Sequence, residues 1–164
     1  MIELLVVVAI IGILASVVLA SLNTARTKGA DAAIKADLSG VRASAELAYD
    51  TNGQRYNKDG ATAWTADADC HAAVLANTMF DPTSGGGVGQ SIDNALAHAY
   101  TQNGSQAFKC NQNATGTAYA IAVPLKSSGV WCIDSTGVAR SSTSAGVAYT
   151  TLASAIANGT YVCL

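Results

Sequence analysis

Hydrophobic positions along this chain change their period once, near residue 23. Through residues 1–22, MIELLVVVAIIGILASVVLASL, every position is apolar or small except Glu3, and no charge falls between residues 4 and 25. At about 1.5 Å per residue, that uncharged run makes a helix of roughly 30 Å, enough to cross the hydrocarbon core of a bilayer. From Asn23 onward the apolar positions thin to a stripe, Ile34, Leu38, Val41, Ala45 and Ala48, spaced by four and three. Lys28, Asp31, Lys35, Asp37, Arg42 and Glu46 are interleaved with it, the pattern of an amphipathic helix with a solvated face. Asp31 and Lys35 stand four apart in the favourable order, an expected surface pair. No proline interrupts residues 1–50, and Asn52 and Gly53 supply a stop. The pattern predicts one helix of about 50 residues, against about 12 for an average helix. The chain divides accordingly into a stem, residues 1–52, and a globular head, residues 53–164. Within the stem, residues 1–22 are apolar and residues 23–52 carry the stripe that packs on the head.

The head reads as mixed. Thr65 caps a helix over residues 66–77, with Asp67 and Asp69 in its first turn. A second helix is expected over residues 91–100, after a glycine-rich surface loop at residues 84–89. Residues 118–126 (AYAIAVPLK) and 130–135 (VWCIDS) are rich in apolar and β-branched positions and are joined by Ser127, Ser128 and Gly129, the signature of a hairpin. Thr136 and Gly137 turn into a third strand near residues 138–141, and residues 160–164 offer an edge strand. The expected fold class is α+β: a long N-terminal helix carrying a small antiparallel sheet and short helices.

Glu3 is the anomaly in the apolar run. An ionisable side chain at a lipid-facing position is costly and functional by default. A secretory signal does not explain the run, because no Lys or Arg precedes Arg26 and no cleavage site follows. A plain anchor accounts for the length but leaves Glu3 without a purpose. If stems pack against one another in a medium of low dielectric, the carboxylate needs a cation there. A neighbouring subunit's terminal ammonium is the nearest one, since the apolar stem holds none. A misregistered subunit would leave both charges buried and unpaired, at several kcal/mol. Glu3 thus reads as a register key for assembly.

The run IELLVVVAIIGILASVV, a carboxylate one aliphatic residue in, then a Leu/Val/Ile block and AIIGILA, resembles the N-terminus of the type IV pilin family, which includes the pseudopilins of type II secretion. The resemblance covers about the first 50 residues and is architectural beyond them. It implies a subunit made with a leader that a prepilin peptidase removes, a methylated N-terminus, residence in the inner membrane, and extraction by an assembly platform and ATPase into a helical homopolymer on the cell surface. The family's glutamate is fifth in the mature chain and Glu3 is third here. Either two residues and a leader precede this sequence, or Met1 is a mis-assigned start. Carried over residue by residue, assembly falls to Glu3 with Ile2, Leu4, Leu5, Val8, Ile11, Gly12, Leu14 and Val18. Many family members carry a proline near the end of the apolar run and unwind there in the filament. This chain has Ala20, Ser21, Leu22 and Asn23 instead, leaving Gly12 as its only weak point. Functions implied are attachment, motility or DNA uptake, with a secretion pseudopilin or minor pilin as the nearer alternative and a membrane-tethered enzyme or binding domain as the distant one.

Cys70, Cys110, Cys132 and Cys163 all lie in the head, and an even count in an exported domain points to two disulfides. Three pairings are possible. The favoured one is Cys70–Cys110 with Cys132–Cys163, the second resembling the C-terminal disulfide loop of many pilins. Charged residues make up 12% of the chain and the net charge is −2, so no basic patch for nucleic acid or anionic lipid is expected. Catalysis, cofactors and metals find no support: there is no GxSxG, and the glycine-rich loop lacks the GK[ST] of a phosphate loop. His71 and His98 have no acid partner by spacing. Asp134 to Gly137 reads as a turn rather than a calcium loop, having one carboxylate. Asn103, Asn113 and Asn158 each begin an N-glycan acceptor triplet, a pattern frequent by chance in such sequences.

Overall fold

A computed structural model describes residues 2–57, 70, 78–81 and 88–164. One α-helix, α1 (Ile2–Thr51), runs unbroken for 50 residues. It ends where Gly53 adopts a left-handed φ of 68°, open to glycine without a Cβ penalty, and the Gln54 amide reaches back to the Tyr49 carbonyl at 2.9 Å. The expected stripe, Ile34, Leu38, Val41, Ala45 and Ala48, is buried throughout, and Asp31 is buried with it. Against it lies α2 (Val88–Gln102), which buries Ile92, Leu96 and Ala99, again at spacings of four and three. This helix starts earlier and ends later than residues 91–100. Val88 and Gly89 belong to it rather than to the loop, and the Gln90 and Asn94 side chains bond across one turn at 3.0 Å. The expected helix at residues 66–77, including its cap at Thr65, lies outside the described residues apart from Cys70, as do residues 84–87 of the loop.

Four antiparallel strands follow as a meander, β1 (Lys109–Gln112), β2 (Tyr119–Pro124), β3 (Val130–Asp134) and β4 (Ala139–Arg140). The β2–β3 hairpin closes through the Leu125 amide on the Gly129 carbonyl at 2.9 Å. Side chains alternate between two covered faces. Tyr119, Ile121, Val123 and Ile133 join α1 and α2 in the main core. Ala120, Ala122, Val130 and Cys132 face a second cluster made by Tyr149, Ala155, Ile156 and Cys163 of the C-terminal segment. The architecture is therefore α+β.

Residues 160–164 do not form the expected edge strand. They cross the second face of the sheet, where the Thr160 carbonyl accepts from Asn111 Nδ2 at 2.6 Å and the Cys163 amide donates to Asp134 Oδ2 at 2.8 Å. A short helix, α3 (Leu152–Ala155), precedes them, capped reciprocally by Thr151 and Ser154. The edge position that sequence assigned to the tail belongs to β1.

Candidate assembly surface

Every residue from 2 to 26 is exposed. Exposure at the positions carried over from the pilin resemblance runs from 60% at Ile11 and Leu14 to 81% at Ile2, with Leu4, Leu5, Val8 and Val18 between. Leu4, Val8, Ile11 and Val18, at spacings of four, three and seven, share one helical face. Leu5 and Leu14 lie on other sides, so the apolar surface encircles the helix. A helix apolar on all sides needs a surrounding apolar medium, whether lipid or other helices. A Cβ at Gly12 would meet nothing within 4 Å, so the helix itself gives this glycine no packing reason. Glu3 stands in the first turn of α1, where the positive end of the helix dipole favours a carboxylate, and it has no ion-pair partner among the described residues. By length and apolarity α1 is able to span a membrane.

The second half of the stem is locked to the head by polar contacts that fix where the apolar half projects. Asp31 does not pair with Lys35. It lies three residues before Ile34 and seven before Leu38, on the buried face, and its Oδ1 accepts the amides of Lys126 and Ser127 at 2.7 and 3.2 Å. Its Oδ2 accepts the Ser127 hydroxyl. The Lys35 ammonium instead sits over the Trp131 ring, 4.7 Å from its centre. Farther along, Tyr56 donates to Glu46 at 3.1 Å, and the Tyr56 ring lies tilted against Tyr49 and edge-on to Tyr119, with ring centres 4.8 Å apart in each pair. Burial pushes the Tyr56 phenol well above its usual range, with the Glu46 carboxylate adding to the effect. Tyr119 is raised in the same direction, chiefly by burial and then by Tyr56, and its hydroxyl has no hydrogen-bond partner among the described residues.

Two disulfides hold the head, Cys70–Cys110 to β1 and Cys132–Cys163 to β3, with Cα separations of 5.8 and 5.9 Å. The polar sequence of β1 is buried because its side chains find partners on both faces of the sheet, Lys109 and Asn111 on the second face and Gln112 on the main-core face. Lys109 Nζ donates to Asn158 Oδ1 at 2.8 Å, and Gln112 Oε1 accepts the Met79 amide at 2.9 Å. Asp134 organises a turn: its Oδ1 accepts from the Thr136 amide and hydroxyl and from the Val138 amide, and its Oδ2 from Cys163. No group of three or more metal-ligating side chains occurs among the described residues.

His98 does have an acid partner, which spacing alone did not reveal. Its Nδ1 lies 2.7 Å from Asp37 Oδ2 on the facing helix. Nε2 faces the Gln102 side-chain amide at 3.2 Å. His71 lies outside the described residues. Of the three acceptor triplets, the Asn103 side chain bonds to Gln106 and that of Asn113 to Thr117 and Ala118. Asn158 is exposed.

The arrangement is thus a disulfide-bonded α+β head rigidly mounted on a helix whose far half is bare and apolar. No family model, curated protein or solved structure matches the chain.

Proposed function

We propose that this chain is a structural subunit that polymerises through α1 into an extracellular filament of the type IV pilus kind, used for attachment, motility or DNA uptake. The observation that carries the proposal is the bare apolar half-stem with one unpaired carboxylate in its first turn. Before assembly, lipid covers this surface. In the filament, stems of neighbouring copies replace the lipid and the ammonium of a neighbour's N-terminus meets Glu3. Exchange of lipid for protein leaves little net hydrophobic gain, so subunit order rests on packing and on the charge pair. The partners implied are a prepilin peptidase, an assembly platform and an ATPase that extracts subunits from the inner membrane. The head, by this reading, decorates the filament surface and performs no catalysis.

The test is to express the full chain with a pilus assembly machinery and count fibres in sheared cell-surface material by electron microscopy. Glu3→Ala and Glu3→Lys are expected to leave the head folded and to cut fibre yield at least tenfold, the effect of about 1.4 kcal/mol or more per subunit contact. Wild-type yields from both variants contradict the register role.

A further inference from the structure

The linear sequence shows only Arg26 and Lys28 near the end of the apolar segment, and its net charge of −2 hides any basic site. Folding adds a third cation from far along the chain. The turn after β2 lies against α1, and Asn23, Arg26, Thr27, Ala30, Gln102 and Lys126 line one open cavity of about 360 Å³. Asp31 fixes the turn there by accepting the Lys126 amide at 2.7 Å. The remaining bonds of that carboxylate go to Ser127, and no ion pair among the described residues involves Arg26 or Lys126. Two exposed cationic residues, Arg26 and Lys126, therefore line a space whose other polar walls, Asn23, Thr27 and Gln102, are neutral hydrogen-bonding groups. Such a set suits a phosphate: guanidinium gives a planar fork for two oxygens, ammonium a point charge.

Depth along the stem identifies the source of that phosphate. The cavity begins at Asn23, one residue past the last apolar residue, Leu22. A bilayer whose hydrocarbon covers residues 4–22 brings its phosphate layer to that level. We propose that this cavity holds the phosphate group of a membrane phospholipid while the stem is inserted, setting stem depth and head orientation before the subunit is extracted. The proposal rests on the membrane-resident stage of the filament reading, and the cavity empties when the stem leaves the bilayer.

The test uses the full chain in nanodiscs of phosphatidylcholine mixed with phosphatidylglycerol, then release into detergent and native mass spectrometry of retained lipid. Wild type is expected to keep one phospholipid, and Arg26→Gln or Lys126→Gln to keep about fivefold less, following the attraction of one basic residue to an anionic surface. Lys28→Gln removes the same charge outside the cavity and is expected to match wild type. Equal retention by all four chains overturns the proposal. In a second arm, inorganic phosphate is titrated into the lipid-loaded protein. Displacement of the lipid at equimolar phosphate overturns the lipid source, and persistence of the lipid supports it. Counting fibres from the same variants separates the two readings. Lipid retention by wild type without polymerisation would sink the filament and leave this site standing. Loss of fibres in Arg26→Gln with unchanged lipid retention would make the cavity a subunit contact and overturn the lipid assignment.

Discussion

Asp31 lies on the stem face that carries Ile34 and Leu38, so helical geometry turns its carboxylate toward the head. Read as a member of a solvated charge pattern, it pairs with Lys35. Packed, it closes the turn after β2 instead, because two amides and a hydroxyl need an acceptor there. Replacing it by Ala leaves those donors short of an acceptor and is expected to lower stability by about 1–3 kcal/mol, read as a fall in the thermal unfolding midpoint in detergent. Asp31→Asn keeps one acceptor oxygen and is expected to lose less. Tyr56 and Tyr119 give a second residue-scale prediction. Both phenols are raised by burial, so above about pH 10 the unfolded chain sheds protons that the folded chain retains. The folded state then binds more protons, and stability must fall as pH rises through that region. Tyr56→Phe is expected to flatten the alkaline decline of the unfolding midpoint, and an unchanged slope would assign the decline elsewhere. Glu3 stands out in the sequence because its oddity is local: a charge in a run without charges. The His98–Asp37 pair and the cavity that Arg26 and Lys126 both line do not, because each joins segments far apart in the chain.

At the scale of elements, strong periodicity decided what could be read. The five-residue stripe of α1 is buried as its spacing implied, and the hairpin of β2 and β3 follows from alternating apolar residues around a Ser-Ser-Gly turn. The sequence of β1, Lys-Cys-Asn-Gln, has no strand pattern of its own. It is a strand because β2 supplies its ladder and the C-terminal segment supplies hydrogen-bond partners for its polar side chains. Residues 160–164 suit a strand by their Thr, Tyr and Val, whereas α3 and the Cys132 bond carry them over the sheet face. That bond spans 31 residues, a loop whose closure stabilises the head by about 3–4 kcal/mol in the chain-entropy model. Cys132→Ser with Cys163→Ser is expected to lose that amount by denaturant unfolding, with the protein otherwise folded at room temperature. A loss below about 1 kcal/mol would mean that packing of Tyr149, Ala155 and Ile156 already holds the tail.

The whole molecule combines a head that satisfies its own core with a half-stem that satisfies nothing by itself. Contacts from Asp31 to Tyr56 fasten the stem's second half to α2 and the sheet, so the bare half projects in one fixed direction. Such a mount suits lateral stacking of identical copies, since each head then arrives with its stem already oriented. Lipid and neighbouring stems are the two media that can cover the apolar surface, and the filament account requires the second after export. Photo-crosslinking from position 14 in full-length chains, made with an assembly machinery and recovered as surface material, tests this most directly. The account predicts ladders of dimers, trimers and higher species joined stem to stem. Adducts to lipid alone, with the chain always monomeric, would contradict it.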